Sequence, residues 1–179
     1  MRFGGAKQLA ELDGRPLVAH AVAAACAAPE LDRVVVVVGA RGDEVRAALG
    51  DGRFDVVSCG EWEEGMSASL RCGVAAAGDA DWAVVLLGDA PRMPVEAIAL
   101  VVEAALEAPA EVAAVRADWR GRPGHPVALS RSLFERVGEL RGDHGARDLL
   151  DSVAVLEVEC GDLGDPGDVD TPDELEALR

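Results

Sequence analysis

The chain has 179 residues, of which 50% are hydrophobic and 28% are charged, a length and composition that allow one domain with a sizeable core. Its 17 basic and 33 acidic residues give a formal net charge of −16, so its field repels nucleic-acid phosphates and anionic lipid headgroups. These numbers exclude a disordered chain and argue against a nucleic-acid-binding module.

Strand and helix signals alternate along the first two thirds of the chain. The run Val34–Val38 is β-branched, ends at Gly39 and lacks polar alternation, which predicts a parallel, central strand buried on both faces. The other predicted elements are the helices Pro16–Ala28, Asp43–Leu49, Met66–Ala77 and Pro94–Ala108 and the strands Phe54–Cys59, Trp82–Leu87 and Glu111–Ala117. The alternation predicts a doubly wound, mostly parallel α/β sheet with helices on both faces.

The composition changes after Trp119. The residues Arg120–Pro126 are rich in glycine, proline and arginine, which predicts an irregular functional loop. Beyond it we predict a strand over Val127–Leu129, a helix over Ser130–Glu139 capped by Ser130, a helix over Ala146–Leu150, a strand over Val153–Val158, an acidic loop over Asp162–Asp170 and a last helix begun by Thr171 and Pro172. No linker divides the chain, so residues 1–179 are expected to form one domain.

Three acidic residues are candidate metal ligands. Asp89 follows a buried strand, where ligands collect in open α/β sheets, and a carboxylate there suits Mg²⁺. The alternative is a turn aspartate that caps the helix near Pro94. Asp168 and Asp170 stand at alternate positions and can project to one side of an extended segment. Alternatively, they belong to a solvated acidic loop in which Asp170 assists the cap at Thr171.

The first seven residues are a candidate phosphate-binding segment. Arg2 and Lys7 flank Gly4 and Gly5, and glycine lets a ligand approach the backbone closely. In a chain of charge −16, a triphosphate needs such local cations and a divalent ion to offset long-range repulsion. The alternative is a frayed terminus with ordinary surface charges.

Further polar candidates lie in three segments. Ser67 and Ser69 stand at the predicted start of a helix, where hydroxyls and free N–H groups can bind a polar ligand. An ordinary N-cap explains Ser67 equally well. His125 in the basic loop, and Asp143 and Arg147 in a second polar loop, indicate little by themselves. The segment 38–42 lacks the third glycine of a dinucleotide-binding fingerprint.

Taken in order, these segments resemble the MobA-like nucleotidyltransferases, and within them the molybdenum cofactor cytidylyltransferases (MocA-like branch), over nearly the whole chain. The segments that carry the resemblance are Arg2–Lys7, Gly14–Leu17, Glu64–Arg71, Leu87–Asp89, Gly121–Pro126, Gly142–Arg147 and Asp168–Pro172. Gly88 before Asp89 resembles the cytidylyl branch, whereas the guanylyl branch usually has cysteine there. The family's first strand and the Leu-Ala-Ala-Gly start of its nucleotide loop should precede Arg2, so both are expected to be missing.

The resemblance implies a Rossmann-like fold of the nucleotide-diphospho-sugar transferase type. It also implies transfer of CMP from CTP to the phosphate of molybdopterin, with release of pyrophosphate. The implied roles are catalysis by Lys7, Arg2 and Asp89; nucleotide binding by Gly4, Gly5, Lys7, Ser67, Ser69 and Gly88; pterin-side contacts by His125, Asp143 and Arg147; and Mg²⁺ binding by Asp89 with Asp168 or Asp170. The implied partners are CTP or GTP, a molybdopterin-type substrate and a molybdenum hydroxylase that receives the product.

Other functions remain open at this point. GTP could replace CTP as the nucleotide, and another small phosphorylated molecule could be the acceptor. A non-catalytic carrier would hold the finished cofactor, and the fold also permits a nicotinamide-dependent oxidoreductase. No stretch approaches the roughly 18 apolar residues of a membrane span, and the first residues lack a secretory signal, so we expect a cytoplasmic protein. The four cysteines, Cys26, Cys59, Cys72 and Cys160, form no Cys-x-x-Cys pair, which favours buried thiols over zinc or disulfides.

Overall fold

The computed structural model describes residues 6–143, 145–164 and 166–179. Its strands are β1 (Glu11–Leu12), β2 (Arg15–Pro16), β3 (Val35–Val38), β4 (Asp55–Ser58), β5 (Trp82–Val85), β6 (Ala114–Asp118), β7 (Pro123–Ser130) and β8 (Val155–Glu159). Its α-helices are α1 (Leu17–Ala27), α2 (Gly42–Leu49), α3 (Met66–Ala77), α4 (Val95–Glu107), α5 (Phe134–Glu139), α6 (Ala146–Leu150) and α7 (Pro172–Ala177). Short 3₁₀ turns cover Lys7–Leu9, Trp62–Glu64, Arg131–Leu133 and Gly161–Leu163.

The strands pair in a mixed pattern. Four of them form a sheet in the order β5-β7-β6-β8, in which β7 is antiparallel to both neighbours and β6 is parallel to β8. The strands β3 and β4 form a separate parallel pair, and β1 and β2 an antiparallel one. The α/β class is confirmed, and the parallel pairing expected of a doubly wound fold occurs at β3–β4 and β6–β8. The expectation that the family's first strand is missing concerns positions before Arg2, outside the described residues.

The basic loop predicted over Arg120–Pro126 is largely part of a hairpin, and this prediction was wrong. Arg120 and Gly121 take positive φ values of 58° and 80°, and Trp119 N–H donates to the Arg122 carbonyl at 2.9 Å, which closes a tight turn. The chain therefore returns at once as β7, which runs eight residues rather than the predicted three. The sequence pattern predicted that proline would prevent a strand here. The register of β6 and β7 shifts between Arg116 and Ala117, and this irregularity accommodates proline within β7.

Helices cover both faces of the four-stranded sheet, as expected. On one face α4 buries Ile98 and Val101 completely against Val115 and Ala128 of the sheet. On the other face α3, α5 and α6 pack against Val127 and other residues of alternate sheet positions. Because successive side chains of a strand point to opposite faces, apolar side chains cover both faces of the sheet. The carboxyl ends of the strands remain available for polar side chains.

The helix ends show which capping predictions were correct. Thr171 caps α7 through a full capping box, in which its side chain accepts from Glu174 N–H and Glu174 accepts from Thr171 N–H. Ser130 does not cap a helix: it ends β7, its hydroxyl bonds Ser132 at 2.6 Å, and a 3₁₀ turn separates it from α5. The helix predicted over Ser130–Glu139 therefore occurs as a 3₁₀ turn that leads directly into α5, whereas the predicted Ser130 cap was wrong.

Candidate functional site

Asp89 lies just beyond the carboxyl end of β5, where its sequence position predicted it. The residue is 9% exposed and, with Ser67, is one of the buried polar residues in the described ranges. The helix α4 begins six residues later behind Pro94, and no side chain caps it. Asp89 is therefore not the helix cap that the alternative interpretation required.

Lys7 joins two of the predicted acidic residues. Its Nζ lies 2.5 Å from Asp89 Oδ2 and 2.6 Å from Asp170 Oδ1. Burial alone would lower the pKa of Lys7, but hydrogen bonds to Asp170 and Asp89 and their negative charges outweigh it and raise that pKa. Lys7 is consequently a fixed cation at neutral pH, and the interpretation of a frayed surface lysine does not hold.

The acidic loop before α7 is attached to the strand end by its backbone. Val169 is 1% exposed, and its N–H donates to the Asp89 carbonyl at 3.0 Å. The two aspartates on either side of Val169 separate: Asp170 contacts Lys7, whereas Asp168 lines a neighbouring cavity. The structure thus brings Asp170, rather than Asp168, together with Asp89 around one nitrogen.

The carboxylate oxygens around Lys7 suit a small divalent cation as ligands. Two carboxylates that contact one ammonium nitrogen are close enough for one metal ion to bridge them, and carboxylate oxygens are the preferred ligands of Mg²⁺ and Mn²⁺. The described parts of the chain contain no group of three or more metal-ligating His, Cys, Asp or Glu side chains. Two carboxylates are nevertheless a usual protein contribution when substrate phosphates and water complete the shell of Mg²⁺.

A cavity of about 250 Å³ lies beside this cluster. It is walled by Leu87, Ala90, Met93, Trp119, Arg122, Pro123, Gly124, His125, Pro166, Gly167 and Asp168. In each of the segments 87–89 and 168–170, the first residue lines the cavity and the last residue contacts Lys7. The cavity and the cluster are therefore neighbouring parts of one site.

His125 is a partly buried wall residue of the cavity, not a solvated loop histidine. Burial lowers the pKa of His125, and the negative charges of Asp168 and Asp89 offset this only in part, so the ring is neutral at pH 7. Its backbone is held by Trp119, whose indole N–H donates to the His125 carbonyl at 3.0 Å. A Cβ at Gly124 would lie 3.0 Å from the Trp119 ring, so glycine permits this close approach.

The start of α3 is tied to the second polar loop. Gly65 has a φ of +115°, and a Cβ there would lie 2.7 Å from Gly142 O and would collide with the Asp143 carboxylate. The Ser67 N–H donates to Gly142 O at 3.2 Å, and Ser67 is fully buried. The Gly142–Asp143 segment therefore lies against the start of α3, where Ser67 contacts Gly142. Gly65 precedes the helix, and no side chain caps it.

Arg71 is a residue of this region to which the sequence analysis gave no role. Its guanidinium donates to Glu64 at 2.5 Å, to Glu61 at 2.8 Å and to the Leu140 carbonyl at 2.7 Å, and it also reaches Ser67 Oγ at 3.3 Å. These hydrogen bonds raise the pKa of Arg71 and lower that of Glu64. The spacing of four residues from Ser67 was the available signal, since it places both side chains on one helix face.

Among the described residues, the remaining candidates are Ser69, Gly88 and Arg147, which lie on three separate elements or loops. Ser69 is partly exposed within α3, and Arg147 is exposed in α6. A Cβ at Gly88 would meet only Val18 at an ordinary 3.7 Å, so packing does not require glycine there. Arg2, Gly4 and Gly5 lie outside the described residues, and their predicted roles stay predictions.

Comparison with known proteins decides the family. Residues 1–158 match the model of the MobA-like NTP transferase domain. The chain belongs to this family. The MobA-like fold and membership of a nucleotidyltransferase family agree with the expectations drawn from the sequence, and the relatives support the MocA-like branch.

Two curated relatives match this MobA-like domain over different shares of their own length. The chain is 34% identical to the purine catabolism protein PucB of Bacillus subtilis (strain 168) over 134 residues, which cover 71% of the chain and 62% of PucB. It is 28% identical to nicotine blue oxidoreductase of Paenarthrobacter nicotinovorans over 182 residues, which cover 97% of the chain and 88% of that protein. The chain thus spans less than two thirds of PucB.

Solved structures agree with the fold. The MobA-like domain superimposes on Rv0371c of Mycobacterium tuberculosis H37Rv with a TM-score of 0.84 and 28% identity, covering 99% of this chain and 90% of Rv0371c. A manganese complex of Rv0371c matches with a TM-score of 0.82 and 26% identity, over 96% of this chain and 90% of that one. Among the helices in the described ranges, none has the length and hydrophobicity to cross a membrane.

Proposed function

We propose that this MobA-like domain transfers CMP from CTP to the phosphate of a molybdopterin-type acceptor and releases pyrophosphate. The observation that supports this most directly is the convergence of Asp89 and Asp170 on the ammonium of Lys7 at the carboxyl end of β5. Such a cluster suits phosphoryl chemistry, in which positioning and charge stabilisation supply most of the catalysis.

In the proposed reaction an oxygen of the acceptor phosphate attacks the α-phosphorus of CTP. A new phosphorus–oxygen bond forms, the bond between the α-phosphorus and the bridging oxygen breaks, and pyrophosphate leaves with the bond electrons. Lys7 stabilises negative charge on the phosphate oxygens, and its raised pKa keeps it protonated throughout. No covalent enzyme intermediate is required.

Charge at the cluster explains why we propose a divalent metal as cofactor. One ammonium between two carboxylates leaves an excess of negative charge, which opposes binding of a triphosphate. We propose that Asp89 and Asp170 hold Mg²⁺ or Mn²⁺, which would supply charge neutralisation and orient the phosphates. The manganese in the Rv0371c complex supports a divalent ion in this family.

The site also suggests where the other candidates act. We propose that Arg2, Gly4 and Gly5 contribute with Lys7 to phosphate binding, and that Ser67, Ser69 and Gly88 contribute to nucleotide binding. His125, Asp143 and Arg147 are proposed for the acceptor side. The choice of CTP over GTP is supported by Gly88, since the guanylyl branch usually carries cysteine there.

The test is pyrophosphate release from CTP and from GTP, with Mg²⁺ or Mn²⁺, and with or without molybdenum cofactor. Cofactor-dependent release from CTP would support the proposal, whereas release from GTP alone would reassign the nucleotide. Binding of the cofactor without release from either nucleotide would overturn it in favour of a carrier that delivers the cofactor to a molybdenum hydroxylase.

A second candidate function follows from one relative. Nicotine blue oxidoreductase matches 97% of the chain, and its name describes a redox reaction. A nicotinamide-dependent oxidoreductase would bind NADH or NADPH, which enhanced nicotinamide fluorescence would detect. The incomplete glycine pattern over residues 38–42 argues against such binding.

A further inference from the structure

We propose that Arg71 is a positioning residue for the acceptor, which acts through Glu64 and holds the segment 140–143 against the start of α3. This inference rests on the proposed function, which assigns Asp143 to the acceptor side. It adds the residues that keep Asp143 in place. Arg71 itself contacts neither substrate.

The Arg71 guanidinium joins two segments that are far apart in the sequence. Its Nη1 donates to the Leu140 carbonyl at 2.7 Å, and its Nη2 donates to Glu64 at 2.5 Å and to Glu61 at 2.8 Å. Leu140 is 69 residues away along the chain and directly follows α5. Hydrogen bonds from a planar, charged guanidinium are strong and fixed in direction. They therefore set the position of the chain after α5 relative to α3.

Glu64 extends this connection to the next part of the segment. Hydrogen bonds from Arg71 are the main cause that lowers the pKa of Glu64, and a hydrogen bond from the Gly142 backbone N–H lowers it further. The Gly142 carbonyl accepts from Ser67 N–H at 3.2 Å. The start of α3 thus holds both backbone groups of Gly142, the residue directly before Asp143.

Asp143 lies against Gly65 as a result of these contacts. A Cβ at Gly65 would collide with the Asp143 carboxylate and would lie 2.7 Å from Gly142 O. Asp143 is nevertheless exposed to solvent. An exposed carboxylate on a held backbone can meet a ligand in a geometry that is set before the ligand binds, which lowers the entropic cost of binding.

The charges around Arg71 argue against a direct role in phosphate binding. Its side chain is 15% exposed, and its single positive charge faces the carboxylates of Glu61 and Glu64. A phosphate would have to compete with both carboxylates for the same nitrogens. Arg71 therefore acts on the substrates through the segments that it holds.

Arg71→Lys tests this role because it keeps the charge and removes the planar group. An ammonium on a flexible stem does not reproduce the hydrogen bonds to Leu140 and Glu64. We expect kcat/KM for molybdenum cofactor to fall about tenfold or more, the effect of a displaced binding group. The KM for CTP should stay unchanged, since Ser67 remains buried within α3. Glu64→Gln should have the same effects in the same direction.

Glu61→Gln is the matched control, the same substitution in the other carboxylate that Arg71 contacts. The Glu61 side chain is 74% exposed, and in the described part of the chain its hydrogen bond goes to Arg71 rather than to the segment 140–143. It should leave kcat/KM for the acceptor unchanged. Hydrogen exchange of the Gly142 amide, measured by NMR without substrates, should be faster in Arg71→Lys and unchanged in Glu61→Gln.

A double-mutant cycle separates positioning from a general loss of stability. In the Asp143→Asn background Arg71→Lys should cause no further loss of kcat/KM, because both substitutions remove the same acceptor contact. A purely structural defect would multiply with Asp143→Asn. If Arg71→Lys does not fold, Glu64→Gln takes its place in both experiments.

The outcomes distinguish this inference from the proposed function. Wild-type turnover with an acceptor kcat/KM that both Arg71→Lys and Glu64→Gln leave unchanged would overturn the positioning role and leave the nucleotidyl transfer standing. Independent, multiplying effects of Arg71→Lys and Asp143→Asn would overturn it as well. Absence of pyrophosphate release by the wild-type chain would reject the proposed function, and equal Gly142 exchange in Arg71→Lys and wild type would reject the anchoring of the segment.

Discussion

Lys7 Nζ lies 2.5 Å from the carboxylate of Asp89, which brings the first described turn of the chain onto the end of β5. The same nitrogen contacts Asp170, so a single cation holds two acidic segments together. The proposed chemistry depends on this arrangement, and substitution of either carboxylate should differ in its effect from substitution of the ammonium.

Asp89→Asn and Asp170→Asn should each reduce pyrophosphate release by about 10²-fold or more, because each removes a carboxylate that we assign to the metal. Both should raise the Mn²⁺ concentration required for half-maximal activity. Asp168→Asn, an equivalent change two residues away, should leave that concentration unaltered. A metal requirement that shifts in Asp168→Asn and not in Asp170→Asn would reverse the assignment.

Lys7→Met should separate metal binding from catalysis. Without the ammonium, Asp89 and Asp170 repel each other and attract a divalent cation more strongly, so Mn²⁺ should bind more tightly in the absence of nucleotide. Pyrophosphate release should nevertheless fall, because the cation that faces the phosphates is gone. Calorimetric Mn²⁺ titration of both proteins measures the first effect, and weaker Mn²⁺ binding by Lys7→Met would contradict it.

Gly65→Ala should destabilise the protein by about 2 kcal/mol or more, since it combines a left-handed backbone with contacts that a Cβ cannot avoid. Gly60→Ala is the matched control, because nothing lies within 4 Å of a Cβ at Gly60. Urea unfolding of the two variants measures the difference. Equal midpoints for both variants would show that the loop at Gly142 and Asp143 moves aside at no cost.

Arg71→Met should lower the Tm at pH 7, and the loss should shrink in acid. The Arg71 hydrogen bonds hold the pKa of Glu64 below its ordinary value of 4.5, so their stabilisation is present above that pH and disappears as pH falls through the lowered pKa. Arg46→Met, at a position with one 3.5 Å hydrogen bond to the Val56 carbonyl, is the control. A Tm difference independent of pH between 7 and 3 would contradict the role of Glu64.

Cys72 should react slowly with iodoacetamide at pH 8. Burial and a hydrogen bond with Cys59 raise the pKa of Cys72 to about 11, so only about one thiol in a thousand is ionised at that pH. Cys59→Ala removes the hydrogen bond and should accelerate alkylation of Cys72. Mass spectrometry of the Cys72 peptide gives the rates, and equal rates in both proteins would refute the contribution of Cys59.

Local patterns predicted the position of most elements because each depends on residues close in sequence. The run at Val35–Val38, the helix at Met66–Ala77 and the capped start at Thr171 all occur where expected. The hairpin of β6 and β7 was not predicted, since its antiparallel pairing depends on residues that face each other across the sheet. Burial of all four thiols was also expected, yet Cys26 and Cys72 are only partly buried.

The site was predicted in its residues more than in its contacts. Asp89 and Lys7 were identified from strand position and charge, but nothing in the sequence indicates that one ammonium bridges Asp89 and Asp170. Nor does the sequence separate Asp168 from Asp170, because only the folded chain shows that Asp170 contacts Lys7 and that Asp168 lines the cavity. The sequence analysis gave Trp119 no role beyond marking a change in composition, because its hydrogen bond to the His125 carbonyl depends on the turn between the two residues.

The burial of Val169 between Asp168 and Asp170 constrains how this protein can evolve. Val169 N–H is held by the Asp89 carbonyl and Thr171 caps α7, so one inserted or deleted residue beside these anchors would change the directions in which the carboxylates of Asp168 and Asp170 point. Substitutions in the exposed stretch 162–164 change neither direction. Descendants of this gene should therefore vary in the composition of that stretch while the spacing from Asp168 to Thr171 stays constant.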